Sequence, residues 1–158
     1  MRITTKGRYA LRATIALAQM GKDNEMISIN SLSEVENISS IFLEQIFFKL
    51  KKAGIVNSSR GPGGGFSFAR PLETLTVKEI LDAAGEELDL TLCDRQEEEC
   101  DRTSYCISHK VFTEVTRHVN NYLDNITMKM LLEDEDFKTE AKRPEQPPES
   151  LNMASKHP

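Results

Sequence analysis

Apolar positions crowd the start of the chain at helical spacing. Tyr9, Leu11, Ala13, Ile15, Ala16, Leu17, Ala18 and Met20 form a broad face with no breaker between Gly7 and Gly21, so the spacing predicts a helix opened by Thr4-Thr5-Lys6. Ser28 to Val35 reads as a short capped helix that ends near Asn37. A second helix is predicted from Ile41 to Ala53, with Ser39 or Ser40 as N-cap and Gly54 as the stop after Lys51-Lys52. On it Leu43, Ile46, Phe47 and Leu50 line up as the core face, leaving Glu44, Gln45, Phe48, Lys49 and Lys52 to point outward. A short helix, a tight turn and a longer helix with a mostly polar, basic outer face make a helix-turn-helix pattern.

The period then changes. Ile55 to Ser59 and Phe66 to Arg70 are short β-prone runs around Arg60-Gly61-Pro62-Gly63-Gly64-Gly65, which predicts a hairpin with a glycine-rich tip. Placed directly after a recognition helix, such a hairpin is a wing. Glycines allow close backbone approach to a phosphate, and Arg60 at the base suits the negative potential of a narrow minor groove. A nucleotide-cradling loop is the rival reading, but G-x-x-x-x-G-K-[ST] is missing and no helix follows at once.

Helical spacing returns from Leu75 to Gly85, with a Thr76/Glu79 capping box and a glycine stop. Further on, Ile107, Val111, Val115, Val119, Tyr122 and Ile126 recur every three or four residues, a stripe expected on one long helix. With the winged domain read as complete before it, the stripe is expected to pair with a second subunit. A short helix is expected between Thr127 and Asp134. From Lys138 to Pro158 the chain is polar, holds Pro144, Pro147 and Pro148, and is expected to be disordered. The fold class is therefore mainly α: a winged helix-turn-helix with a small β-hairpin wing and a long C-terminal dimerisation helix. Its parts are a DNA-binding domain over 1–85, a ligand loop over 86–109, the dimerisation helix and a short helix over 107–135, and the tail over 138–158.

Charge sharpens this picture. Residues 1–70 hold ten Lys/Arg against five Asp/Glu, and residues 71–158 hold ten against twenty, which together give the net charge of −5. A basic half joined to an acidic half suits a nucleic-acid reader with a separate sensing part. Lys6, Arg8 and Arg12, with Tyr9 among them, lie near the start of the first helix, where phosphates can be met. Candidate DNA contacts are Lys6, Arg8, Tyr9, Ser39, Ser40, Glu44, Gln45, Lys49, Arg60, Gly61, Pro62, Gly63 and Gly64. No apolar run reaches the length of a membrane span, and Met1-Arg2-Ile3-Thr4 lacks the apolar stretch of an export signal, so the expected setting is cytoplasmic with no membrane partner.

All three cysteines fall between Cys93 and His109, at spacing C-x6-C-x5-C-x2-H. Cys93, Cys100, Cys106 and His109 make a plausible tetradentate set for zinc or an iron–sulfur cluster, on a polar, acidic loop suited to solvent. An odd cysteine count argues against a disulfide framework. Coordination alone leaves both cofactors open. An imidazole in place of one thiolate raises a cluster's potential, which suits a sensor, and the long glycine-free loop differs from the tight knuckles of structural zinc. His118 and His157 are not expected to be ligands.

Four stretches occur in a telling order: R-I-T-T-K-G-R-Y-A from Arg2, L-E-Q-I-F-F-K-L-K-K-A-G-I-V from Leu43, S-R-G-P-G-G-G-F from Ser59, and the C…C…C-x-x-H loop followed by N-I-T. Over about residues 1–135 the chain resembles the IscR-type iron–sulfur cluster regulators. The resemblance implies a homodimer binding one 2Fe–2S cluster per subunit through Cys93, Cys100, Cys106 and His109, with a cluster-assembly scaffold as donor. It implies labile occupancy that reports cluster supply, different DNA preference with and without the cluster, and promoters of cluster-assembly genes as repressed or activated targets. Ser39, Gln45 and Arg60 match the family's DNA contacts, Glu44 matches the position that discriminates site types, and Ser40 is a neighbour within reach of a phosphate. The first cysteine gap is one residue longer than the family's and carries Glu97-Glu98-Glu99, while Ile41 and Phe42 stand where Ser and Tyr are expected. Related nitric-oxide sensors use an N-terminal aspartate as fourth ligand, and Arg8 stands there in this chain. Structural zinc, a thiol switch and nitric-oxide sensing are the alternatives. No catalytic constellation points to an enzyme.

Overall fold

Short polar side chains set where the helices begin. The computed structural model describes residues 3–21, 25–90, 100, 102 and 104–134. It contains α1 (Thr5–Met20), α2 (Ile29–Glu36), α3 (Ser40–Lys52), β1 (Val56–Ser59), β2 (Gly65–Phe68), α4 (Val77–Ala84), α5 (Ile107–Asp124) and α6 (Met128–Glu133), with a 3-10 turn at Leu72–Thr74. Thr4, Ser28, Ser39, Thr76 and Thr127 each accept a backbone N–H from the first turn of the helix that follows, satisfying donors the helix itself leaves open. At Thr76 the reciprocal bond from Glu79 completes the capping box. Asn37, with φ 51°, ends α2 in the left-handed region and turns the chain into α3.

The core lies where α1, α2 and α3 meet the wing and α4. Leu17, Leu32, Leu43, Ile46, Phe47, Leu50 and Ile80 are essentially sealed from solvent there. Each such side chain contributes about 1.5–3 kcal/mol through burial. The strands pair antiparallel, Val56 opposite Phe68 and Ser59 opposite Gly65. A third segment pins the hairpin: Ile27 N–H donates to the Phe66 carbonyl at 2.9 Å, and Phe66 N–H to the Ile27 carbonyl at 2.8 Å. Gly65 permits this approach, since a Cβ there would lie 2.3 Å from the Ile27 carbonyl oxygen.

The winged domain is not finished at Gly85, contrary to the sequence reading. Met128 is fully buried in the main core, its N–H donates to the Leu75 carbonyl at 2.8 Å, and Val77 N–H donates to the Ile126 carbonyl at 2.9 Å. The chain thus leaves along α5 and returns with α6 to close the base of α4. This also removes Ile126 from the expected stripe. It follows the end of α5, and its side chain packs with Leu123 and Leu131 against Val77, Leu81 and Leu88 of its own domain. The tail over 138–158 lies outside the described residues.

Candidate DNA interface and ligand loop

The outer face of α3 carries Ile41, Glu44, Gln45 and Lys52, all exposed, with Phe48 beside them. Ser39 stands exposed at its start, its hydroxyl accepting the Phe42 N–H at 3.3 Å, and Ser40 is half-buried. Lys51 donates to the Ser58 hydroxyl at 2.6 Å and ties α3 to β1. Across the groove so formed stand exposed Arg60, Gly61, Pro62 and Gly63, with Gly64 half-buried. Gly61 and Gly63 take φ of 92° and 74°, values that only glycine adopts without strain, and so build the tight tip. Lys49 departs from the outward position expected of it. It is half-buried, and its ammonium donates to the Ala84 carbonyl at 3.2 Å, satisfying one of the open carbonyls at the end of α4.

The start of α1 meets α3 through Tyr9. Arg8 is exposed and Lys6 half-buried. Tyr9 is a packing link between α1 and α3, its ring edge-on to Phe42 with centroids 5.7 Å apart. Arg12 lies over that ring at 5.5 Å and is engaged by Glu36, whose carboxylate and carbonyl both accept from it.

One residue here was missed in the sequence. Glu86 is 6% exposed, and its carboxylate accepts the Thr4 N–H at 2.9 Å, the Gly7 N–H at 3.1 Å and the Thr4 hydroxyl. It therefore caps α1 from the far end of α4. Burial pushes its carboxyl up, but the Thr4 and Gly7 hydrogen bonds and the charge of Lys6 outweigh this and hold it below the usual carboxylate range. Gly7 makes the room, since a Cβ there would lie 2.4 Å from Glu86 Cγ. The one sequence signal was a glycine inside an alanine-rich helix, where it serves no turn.

Beyond Glu86 the loop is anchored by buried Leu88 and by Leu90, whose N–H donates to the Thr116 hydroxyl of α5 at 3.2 Å. Cys106 is the N-cap of α5, its sulfur accepting the His109 N–H at 3.4 Å. Cys106 and His109 are both half-buried in that first turn, and Cys100 is exposed. A set of three cysteines and one imidazole suits either a 2Fe–2S cluster or zinc. Cys93 and Glu97 to Glu99 lie outside the described residues; of the four expected ligands, the structure brings Cys106 and His109 into one helical turn. Among the described residues no three metal-ligating side chains converge. His118 lies 3.3 Å from Glu114.

α5 buries none of its residues fully. Ile107, Val111, Val115 and Tyr122 form an exposed stripe, joined by Phe112, with Val119 half-buried. A contiguous apolar face of this kind marks an interaction surface.

The sequence model of the Rrf2 family, described as iron-dependent transcriptional regulators, matches residues 3–134. The chain is 38% identical over 133 residues to a Neisseria meningitidis serogroup A protein called an HTH-type transcriptional regulator, covering 84% of this chain and 88% of that one. It is 34% identical over 137 residues to the transcriptional regulator IscR of Yersinia pseudotuberculosis, covering 87% of this chain and 82% of the relative. Among solved structures it resembles T. potens IscR, with a TM-score of 0.69 at 27% identity over 92% of this chain and 94% of that one. It also resembles the oxidized form of Staphylococcus aureus CymR, with a TM-score of 0.64 at 32% identity over 85% and 98%.

Proposed function

The chain belongs to the Rrf2 family of winged helix-turn-helix transcriptional regulators, and from that premise we propose that it is a homodimeric operator-binding sensor whose state is set at Cys93, Cys100, Cys106 and His109. The observation that carries this reading is the place of Cys106 and His109 in the first turn of α5, the helix with the uncovered apolar stripe. Those four residues would hold a 2Fe–2S cluster, which when bound supplies a labile, redox-active centre. Cys106 and His109 then fix the start of α5, and Leu90 and Thr116 carry that constraint to its middle. Glu86, at the near end of the same loop, holds the start of α1, which packs on α3 through Tyr9 and Phe42. Two recognition helices must meet half-sites about 34 Å apart, so a shift at the α5 seam changes operator affinity. Cluster-assembly promoters are the proposed targets, a cluster-assembly scaffold the proposed donor, and the cytoplasm the proposed setting. Among the described residues no helix is long and apolar enough to cross a membrane.

The similarity to an oxidized form of CymR supports a second reading, in which the cysteines act as a thiol switch. Metal analysis separates the two. Protein purified without oxygen is expected to carry two irons and two sulfides per chain, lost in Cys100→Ala and in His109→Ala. One zinc and no colour would make the loop a structural clasp. No metal, with His109→Ala behaving as wild type, would move the assignment to the thiol switch.

A further inference from the structure

Two large apolar side chains stand out on the face of α3 turned away from the core. Ile41 is 71% exposed and Phe48 69%, and among the large apolar side chains of the described residues only Ile107 is more exposed. They lie seven positions apart on α3, on the same side of the helix, with exposed Glu44 and Gln45 between them. Around Phe48 the groove to the wing is lined by Lys51, Lys52, Arg60 and Ser58, three cations against the single carboxylate of Glu44. Exposed positive charge around a small apolar pair suits a polyanion that also presents isolated methyl groups. In B-DNA the major groove has one such apolar feature, the C5-methyl of thymine.

We propose that Ile41 and Phe48 read thymine methyl groups in the major groove and so set this chain's operator preference. The proposal rests on the operator-binding reading above and deepens it. Seven residues at 1.5 Å span roughly 10 Å along α3. That distance corresponds to about three base-pair steps of 3.4 Å. The expected half-site therefore holds two thymines about three base pairs apart, with the intervening pairs facing Glu44 and Gln45. Polar residues at 41 and 48 would find no partner in those methyls, so the choice of Ile and Phe is a choice of operator.

The test begins with duplexes selected from a random library by the full-length protein. Each thymine of the selected site is then replaced, one at a time, by deoxyuridine, which lacks only the methyl. Two thymines per half-site are expected at which the replacement weakens binding about fourfold, the effect of leaving one methyl group unburied. Ile41→Ala should abolish the effect at one of them and Phe48→Ala at the other, and both variants, altered at exposed positions, should melt as wild type does. Uniform indifference to deoxyuridine, or sensitivity that persists in both variants, would overturn the proposal while leaving DNA binding intact. Unchanged operator affinity with altered self-association of the variants, seen by light scattering, would give the face to a protein contact instead. Failure to enrich any duplex would remove the operator reading itself.

Discussion

Gly7 leaves room for a carboxylate that lies 79 residues further along the chain. A glycine inside a helix is less favourable than alanine by about 0.5–1 kcal/mol, so Gly7→Ala should stabilise α1 if local propensity decided the outcome. The 2.4 Å approach to Glu86 Cγ predicts the reverse. Urea denaturation should show a net loss of about 1–3 kcal/mol as the displaced carboxylate leaves the Thr4 and Gly7 donors unsatisfied. Glu86→Gln preserves the shape and removes the charge, and should cost about 1 kcal/mol at neutral pH. Because folding lowers the Glu86 pKa, its contribution is fully present above the usual carboxylate range and is lost as pH falls through the folded value. The stability gap between wild type and Glu86→Gln should therefore close in acid. A gap that stays constant with pH would show that the charge of Glu86 does not stabilise the fold.

The exposed stripe of α5 and the return of α6 are properties of elements. Val115→Glu puts a charge in the middle of the stripe and should halve the mass seen by light scattering without changing helix content. A variant that keeps the wild-type mass would rule the stripe out as the seam. Met128→Ala empties a fully buried site and should cost about 2–5 kcal/mol, although Met128 lies far along the chain from the residues it packs against. The helices, their caps and the hairpin were legible because each is written in a local period or a cap residue, as with Ser28, Ser39 and the Thr76/Glu79 pair. The return of α6 was not, since the bridge between Thr76 and Thr127 is made by backbone atoms and leaves no mark in side-chain pattern. Lys49 misled for a related reason. Its helical position faces outward, but its partner is a carbonyl 35 residues away on a packed neighbour. At the ligand loop the types and spacing of Cys106 and His109 were legible, while the cap that joins them is a matter of three-dimensional placement.

At the scale of the molecule, the basic half carries the helix-turn-helix and wing, and the acidic half carries the loop and α5. Binding driven by Lys and Arg contacts to phosphates should weaken steeply with salt, and Arg60→Ala should lower the slope of log affinity against log salt by about one. A salt-independent affinity would contradict a phosphate-reading surface. The proposed coupling runs from the state of the loop to the way the winged domains engage DNA. The most direct test is the affinity of one selected operator for the protein purified without oxygen, compared with the same protein stripped of iron. A difference of at least tenfold is expected at fixed salt, absent in His109→Ala. Equal affinity of the two forms on every operator selected would contradict it, and would leave a DNA-binding regulator whose loop plays no part in reading its signal.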